Sequence, residues 1–334
     1  MNTYFRERLS LAIIAFLFLA VFSGVSVQNA TAAQNCVEPP SGLVSWWSGD
    51  AISDKTLPDI KGGNNGTLFS NRGSIASVPG KVGNAIKFGG ITGLNGQNWD
   101  LGTGPIKMGN PANLNFGSGP FSLEAWFYWP GIDIFGGAVS PIITKSNAFG
   151  SSPGPGYWLR VGTDGPVSIL EFHVGDNIDI GHAVARRATT PVISGVWNHA
   201  VATMDRDVMK LYLNGELKST VNMKGTPEVL DADTTSDASF VIGEAGYVGG
   251  SSWPFRGFID EVSVYNRALS QSEVQAIFNA GSAGKCKPSV PAVLSDITYP
   301  IAELGNCASQ QECKAYCDIS SNFSSCIAFA QKTI

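Results

Sequence analysis

The run 209–219, MKLYLNGELKS, constrains this chain more than any other stretch. Two segments of alternating apolar and polar residues flank Asn214-Gly215. Asn-Gly accepts the positive φ angles that a two-residue type I′ hairpin turn demands. A hairpin has one face to bury and is marginal alone, so it needs further strands beside it. The sequence supplies them. The segment 196–204 reads as a third antiparallel strand next to the hairpin, and short apolar runs occupy 44–47, 85–88, 142–145, 157–161, 168–174, 240–243 and 258–265. The longest, FSLEAWFYW at 121–129, is stopped by Pro130-Gly131. Gly and Pro number 39 and 18 among 334 residues, as many tight turns require. An all-β architecture of short strands joined by tight turns follows.

One helix interrupts the pattern. Ser270-Gln-Ser-Glu273 is a capping box, and Val274, Ile277 and Phe278 share a helical face behind it. Gly281 stands where the chain must leave the helix, so a short amphipathic lid on a sheet edge is expected. Composition excludes two classes. The apolar fraction of 43% is too high, and the net charge of −5 too small, for a disordered chain. With no Lys/Arg cluster, an acidic chain has nothing to neutralise phosphates, so nucleic acid is not an expected partner.

The chain ends carry other signals. Arg6 and Arg8 precede an apolar run at 11–27, and Ala30-Thr31-Ala32-Ala33 offers small residues for cleavage. Residues 1–33 read as a secretory signal peptide, with an uncleaved anchor as the alternative. No later stretch is apolar enough to span a bilayer, so no membrane span is expected in the mature chain. Six cysteines in an exported chain read as three disulfides. Cys36 and Cys286 bracket a long cysteine-free region, and their pairing as a clasp is the simplest arrangement. Cys307, Cys313, Cys317 and Cys326 crowd the last residues with five, three and eight residues between them. They are expected to pair among themselves, with three connectivities open; a zinc site competes, without a Cys-x-x-Cys pair. The domain at 34–286 is followed by a Pro-containing linker at 287–298 and a four-cysteine helical module at 299–334. In that module Ser309-Gln-Gln-Glu312 is a second capping box, and 322–332 suggests a second helix.

Seven ordered motifs carry a resemblance: GLVSWWSGD (42–50), GGNNGTL (62–68), GKVGNAIKF (80–88), FSLEAW (121–126), GVWNHAV (195–201), KLYLNG (210–215) and GFIDEVSVYNRALS (257–270). Together they resemble the laminin-G-like jelly roll of the concanavalin-A-like lectin/glucanase superfamily in its bacterial secreted form. The resemblance implies two curved antiparallel sheets of about twelve to fourteen strands, with the first and last strands adjacent. That adjacency also fits the Cys36–Cys286 clasp. The tail resembles a short four-cysteine module found at the ends of some bacterial exported proteins.

The chemistry follows from these placements. Glucanases of this superfamily carry Glu-x-Asp-x-(x)-Glu on one strand, which sets two carboxylates at the separation retaining hydrolysis needs. The long strand here has only Glu124, and Asp260 and Glu261 are adjacent, hence expected on opposite faces. Asp176, Asp179, Asp231 and Asp233 read as solvated loop charges, and Arg186-Arg187 as a solvated pair. His173, His182 and His199 form no triad with Ser or Cys, and His199 is expected to be structural. No enzyme is expected. Asp260 should share a face with Phe258, Val262 and Val264, where a carboxylate must be protonated, hydrogen-bonded or neutralised. The resemblance implies a structural calcium ion with Asp59, Asn64 and Asp260 as candidate ligands. Sugar stacking would use Tyr247 and Trp253 of the Gly/Ser-rich loop at 246–254. Trp126 and Tyr128 share the face of Glu124, with Trp126 expected in the core. The reading is a secreted, non-catalytic module that binds extracellular polysaccharide or surface glycoprotein. A structural or protein-interaction domain at the cell surface is the alternative, and a glycoside hydrolase the distant one.

Overall fold

Period-two alternation puts the large apolar side chains of each strand on one face, and two such faces close on one another. The computed structural model describes residues 36–50, 52, 55–68, 76–88, 105–131, 140–146, 155–175, 186–222, 234–246, 252–288, 299–317, 322, 325–326 and 329. The chain divides into two units, Met1–Cys36 and Val37–Ile334. The signal segment expected at 1–33 lies outside the described residues, as do Tyr247, Asp176, Asp179, His182, Asp231, Asp233 and most of the linker.

Strands are numbered β1 to β18 in chain order. Sheet I holds β1 (Leu43–Trp47), β4 (Ala76–Pro79), β5 (Asn84–Phe88) and β7 (Phe121–Tyr128), with β12 (Trp197–Asp205), β13 (Val208–Leu213), β14 (Glu216–Asn222) and β18 (Gly257–Tyr265). Its order is β14-β13-β12-β7-β18-β5-β4, and β1 pairs with β18, so the first and last strands lie side by side. Sheet II holds β2 (Thr56–Leu57), β3 (Gly66–Leu68), β6 (Ile106–Lys107) and β8 (Ser140–Ser146). Its other members are β9 (Gly156–Asp164), β10 (Val167–Gly175), β11 (Arg186–Pro191) and β15 (Val241–Ile242), in the order β11-β10-β9-β8-β15-β6-β3-β2. A two-stranded ribbon, β16 (Glu244–Gly246) with β17 (Ser252–Pro254), completes the set. The count exceeds the expected twelve to fourteen because two- and three-residue strands line one end of sheet II and form the ribbon.

The hairpin turn forms as the sequence dictates, with Asn214 and Gly215 at φ 53° and 81°. Phe121, Leu123, Ala125 and Phe127 of β7 meet Tyr157, Leu159 and Val161 of β9 and Leu170 and Phe172 of β10 in the core between the sheets. The helix expected at 271 is present as α1 (Gln271–Ala280), with both bonds of the capping box at Ser270 and Glu273. It does not sit on a sheet edge. Val274 and Ile277 pack on Val201, Tyr212 and Tyr265, covering the outer face of sheet I. Beyond it, Val37 N donates to Gly284 O, and Cys286 N donates to Val37 O. The tail has its own small core of Ile301, Leu304, Cys307 and Cys313, beside α2 (Gln310–Cys317). Its disulfides join Cys307 to Cys313 and Cys317 to Cys326, while Cys36 and Cys286 are each disulfide-bonded as well.

Candidate functional site

The two outer faces of the sandwich differ in what they leave for a ligand. On sheet I, register sets side chains in transverse rows. Asp260, Trp126 and His199 form one row, and Ser263, Glu124 and Val201 another. Both rows are closed to solvent. Trp126 stacks on Phe278 of α1 at 5.7 Å, with His199 4.8 Å from it on the other strand. Glu124 is fully buried and accepts from Lys285 Nζ at 2.7 Å and from the Tyr265 hydroxyl at 2.9 Å, with His199 Nε2 at 3.4 Å. Burial pushes the Glu124 carboxyl up, but Lys285 and His199 outweigh it and hold it at about 2. Burial keeps His199 below its ordinary value, and the structural role expected for it is the one seen.

Asp260 and Glu261 depart from the sequence reading. Glu261 has φ 55°, and the register between β18 and β7 slips between Asp260 and Ser263. This β-bulge turns both carboxylates to the outer face and sends Val262 and Val264 into the core, away from Asp260. Glu261 accepts from Trp46 Nε1 at 2.9 Å and lies 3.6 Å from Lys285 Nζ and 3.2 Å from Lys287 Nζ, which also pairs with Asp50. Burial raises the Glu261 carboxyl above its ordinary range. Glu124, Asp260 and Glu261 are all closed to solvent, so the face they share offers no substrate a path to a carboxylate pair.

The calcium candidates are engaged by hydrogen bonds. Asp59 Oδ1 accepts from the backbone amides of Trp46, Lys61 and Gly62 at 2.8–3.0 Å, and Oδ2 accepts from Asn64 N at 3.0 Å. A carboxylate accepting from four N–H donors has its lone pairs satisfied and organises its loop. The Asn64 side chain donates to Ser45 Oγ and Asn113 Oδ1. Asp260 Oδ2 accepts from Lys81 N and Val82 N at 2.9 Å each, and Oδ1 is buried with no hydrogen-bond partner among the described residues. Burial, and then the charge of Glu261, push the Asp260 carboxyl up to about 8. Asp59 and Asn64 meet in one loop, Asp260 holds the turn at Lys81 and Val82, and no group of three or more His, Cys, Asp or Glu that could hold a metal ion is found among the described residues.

One row of sheet I escapes the helix. Register aligns Lys87, Phe258, Tyr128 and Trp197 across β5, β18, β7 and β12. The three aromatics are half-buried, with ring centroids 5.4 Å apart for Tyr128 and Phe258 and 6.1 Å apart for the other two pairs. Trp197 and Phe258 are tilted by only 31°. The adjoining turn is fixed to the same end of the sheet, for Gly195 N donates to Trp129 O and Asn198 Nδ2 to Ile193 O and Val196 O. That turn exposes 70% of Ile193 and 45% of Val196. Of the expected stacking residues, Trp126 is core as read, and Tyr128 belongs to this row. Trp253 Cα faces Ala245 in the ribbon, its side chain lying outside the description. Trp197 and Phe258 were legible only as strand residues, since the row draws on four strands distant in sequence.

The outer face of sheet II is polar where the core side is apolar. Arg187 lies there beside His173, 3.4 Å from Glu171 Oε1, and is not the simple solvated charge expected. Arg160 Nε closes on Glu171 Oε2 from the neighbouring strand.

The family is decided by a model described as the Concanavalin A-like lectin/glucanases superfamily, which matches residues 100–275, more than half of the chain. The chain belongs to this superfamily. The chain is similar to the binding domain of Paraclostridial Mosquitocidal Protein 1 (18% identity, TM-score 0.49), covering 72% of this chain and 52% of that one. It is also similar to domain 4 of a GH43 extracellular arabinanase from Geobacillus stearothermophilus, solved with arabinotriose (21% identity, TM-score 0.44, 70% of this chain and 96% of that one). A third is the binding domain of Botulinum Neurotoxin DC in complex with SialylT (13% identity, TM-score 0.48, 74% and 52%). No curated protein matches the chain.

Proposed function

We propose that this superfamily member is an exported, non-catalytic module that binds glycan through the row Tyr128, Trp197 and Phe258. The observation that carries the reading is that these aromatics lie just outside the roof of α1, on a rigid sheet. Aromatic faces left partly wet are costly unless a partner covers them, and a pyranose offers a C–H face of matching width. Lys87, in the same row, adds a hydrogen-bond donor at its end. The disulfides support an oxidising compartment, and among the described residues no helix is long and apolar enough to cross a membrane. Export through the segment at 1–33, with extracellular polysaccharide or surface glycoprotein as partner, is part of the proposal. Ile193 and Val196 favour a second reading, a protein-interaction surface at the same end of sheet I.

A glycan array of residues 34–334, run with calcium and again with EDTA, tests the first reading. Binding to a defined sugar class in both arms is expected, since Tyr128, Trp197 and Phe258 include none of the calcium candidates Asp59, Asn64 and Asp260. Silence in both arms from folded protein moves the assignment to the protein-interaction surface.

A further inference from the structure

Near the end of β8 the sequence places a lysine on the inward face of sheet II. Lys145 stands opposite Tyr157 in the register of β8 with β9, and Tyr157 lies in the core between the sheets. Cross-strand partners share a face, so Lys145 enters the sandwich beside Tyr157, and it is closed to solvent. Leu or Met would fill that volume without the cost of taking an ammonium out of water. What surrounds the nitrogen has to offset that cost.

The surroundings are oxygens. Lys145 Nζ donates to Asn110 Oδ1 at 2.7 Å and to the main-chain carbonyls of Ser236 and Ala238 at 2.9 Å each. An ammonium has three N–H donors, and each is matched by an acceptor. Burial lowers the Lys145 amine to about 8, with the charge of Asp237 opposing that shift, so the group is charged at neutral pH. Main-chain carbonyls, an amide oxygen and a nearby carboxylate are also the donor types that hard metal cations select.

Two loops from distant parts of the chain build this cage. Asn110 Oδ1 accepts from Asn115 Nδ2 as well as from Lys145, and Asn115 Oδ1 accepts from Ser236 N at 3.2 Å. Ala238 N donates to Ser236 Oγ, and Thr234 donates through both N and Oγ1 to Gly117 O. Phe240 N donates to Gly109 O, and Met108 N donates to Phe240 O. Segments 109–117 and 234–240 are thus laced together around the ammonium. Asn110 and Asp237 are exposed, so the cage lies directly beneath the surface. The adjoining loop, joined through Asn64 Nδ2 and Asn113 Oδ1, is organised in the opposite sense, for there Asp59 gathers N–H donors.

We propose that the Lys145 ammonium is the resident cation of this oxygen cage, in the place a bound metal ion would take, and that it fixes segments 109–117 and 234–240 at this end of the sandwich. The cage shares no residue with Asp59, Asn64 and Asp260, nor with the row Tyr128, Trp197 and Phe258, so it stands apart from both readings. Cutting the side chain back to Cβ leaves a cation site with its oxygens in place. Propylammonium supplies the missing methylenes and the nitrogen.

Calorimetry of residues 34–334 at pH 7 tests the assignment. Lys145→Ala should melt about 6 °C or more below wild type, because the oxygens lose the charge they enclose. Propylammonium chloride should recover most of that loss, while 1-propanol and sodium chloride at the same concentration recover none of it. Exposed Asn110 gives a second pair of variants that keeps the fold within reach. Asn110→Ala should lower Tm, whereas Asn110→Asp, which offers the ammonium a carboxylate, should hold or raise it. Where Lys145→Ala fails to fold, the Asn110 pair decides. A Lys145→Ala variant melting within about 2 °C of wild type overturns the proposal. So does recovery by propanol equal to that by propylammonium, recovery by neither, or an Asn110→Asp variant as unstable as Asn110→Ala.

Discussion

Replacing Lys285 with Met tests the buried charge lattice under α1. The ammonium sits between Glu124 and Glu261 and against the Trp46 ring at 5.0 Å, and Met fills nearly the same volume without the charge. Glu124 is held at about 2 against an ordinary value of 4.5. At roughly 1.4 kcal/mol per pH unit, that depression is worth about 3 kcal/mol. Removing one partner of a buried pair costs a similar amount, about 3–5 kcal/mol. For a domain of this size each kcal/mol moves Tm by roughly 2–4 °C, so Lys285→Met should melt about 6–12 °C lower at pH 7. The sign with pH follows from the depressed carboxyl. Its stabilisation is fully present above 4.5 and is lost as pH falls toward 2, so the gap between wild type and variant should narrow below pH 4.5. Calorimetry at pH 7, 5 and 3.5 measures it. A loss under about 1 kcal/mol at pH 7, or a gap independent of pH, refutes the reasoning.

Other consequences are equally direct. Asp59→Ala strands four backbone amides and should cost roughly 2–4 kcal/mol in urea unfolding, with or without EDTA; a loss that appears only on chelation would revive the calcium reading. Ser270→Ala removes the cap of α1 and should cost about 1 kcal/mol without changing glycan affinity. Gly215→Ala meets the Phe278 ring at 2.9 Å from a backbone at φ +81°, and should destabilise by roughly 1–2 kcal/mol; an unchanged denaturation midpoint would contradict the packing of α1 on the hairpin.

What could be read from sequence was local. The hairpin at Asn214-Gly215, the strand from Phe121 and the caps of α1 are set by neighbours in the chain, and each lies where the pattern put it. The second capping box formed with a shift: Glu312 N donates to Ser309 Oγ, while the Glu312 carboxylate accepts from Ala308 N. The bulge at Glu261 was not legible, since a non-glycine residue at positive φ leaves no mark in composition, and it reversed the facing of every later residue in β18. The candidate site was hidden for a different reason. Tyr128, Trp197 and Phe258 meet only through strand register. Lys285 follows α1 in a segment with no periodicity, so its insertion between two carboxylates depends wholly on tertiary packing.

The central claim is that glycan is held on the aromatic row of sheet I. Calorimetric titration of wild type, Trp197→Ala and Phe258→Ala with the sugar selected by the array tests it most directly. Loss of a stacking ring should cost about 1.4–2 kcal/mol, a tenfold or greater rise in Kd, in variants whose melting shows them folded. An unchanged Kd in both would contradict the account.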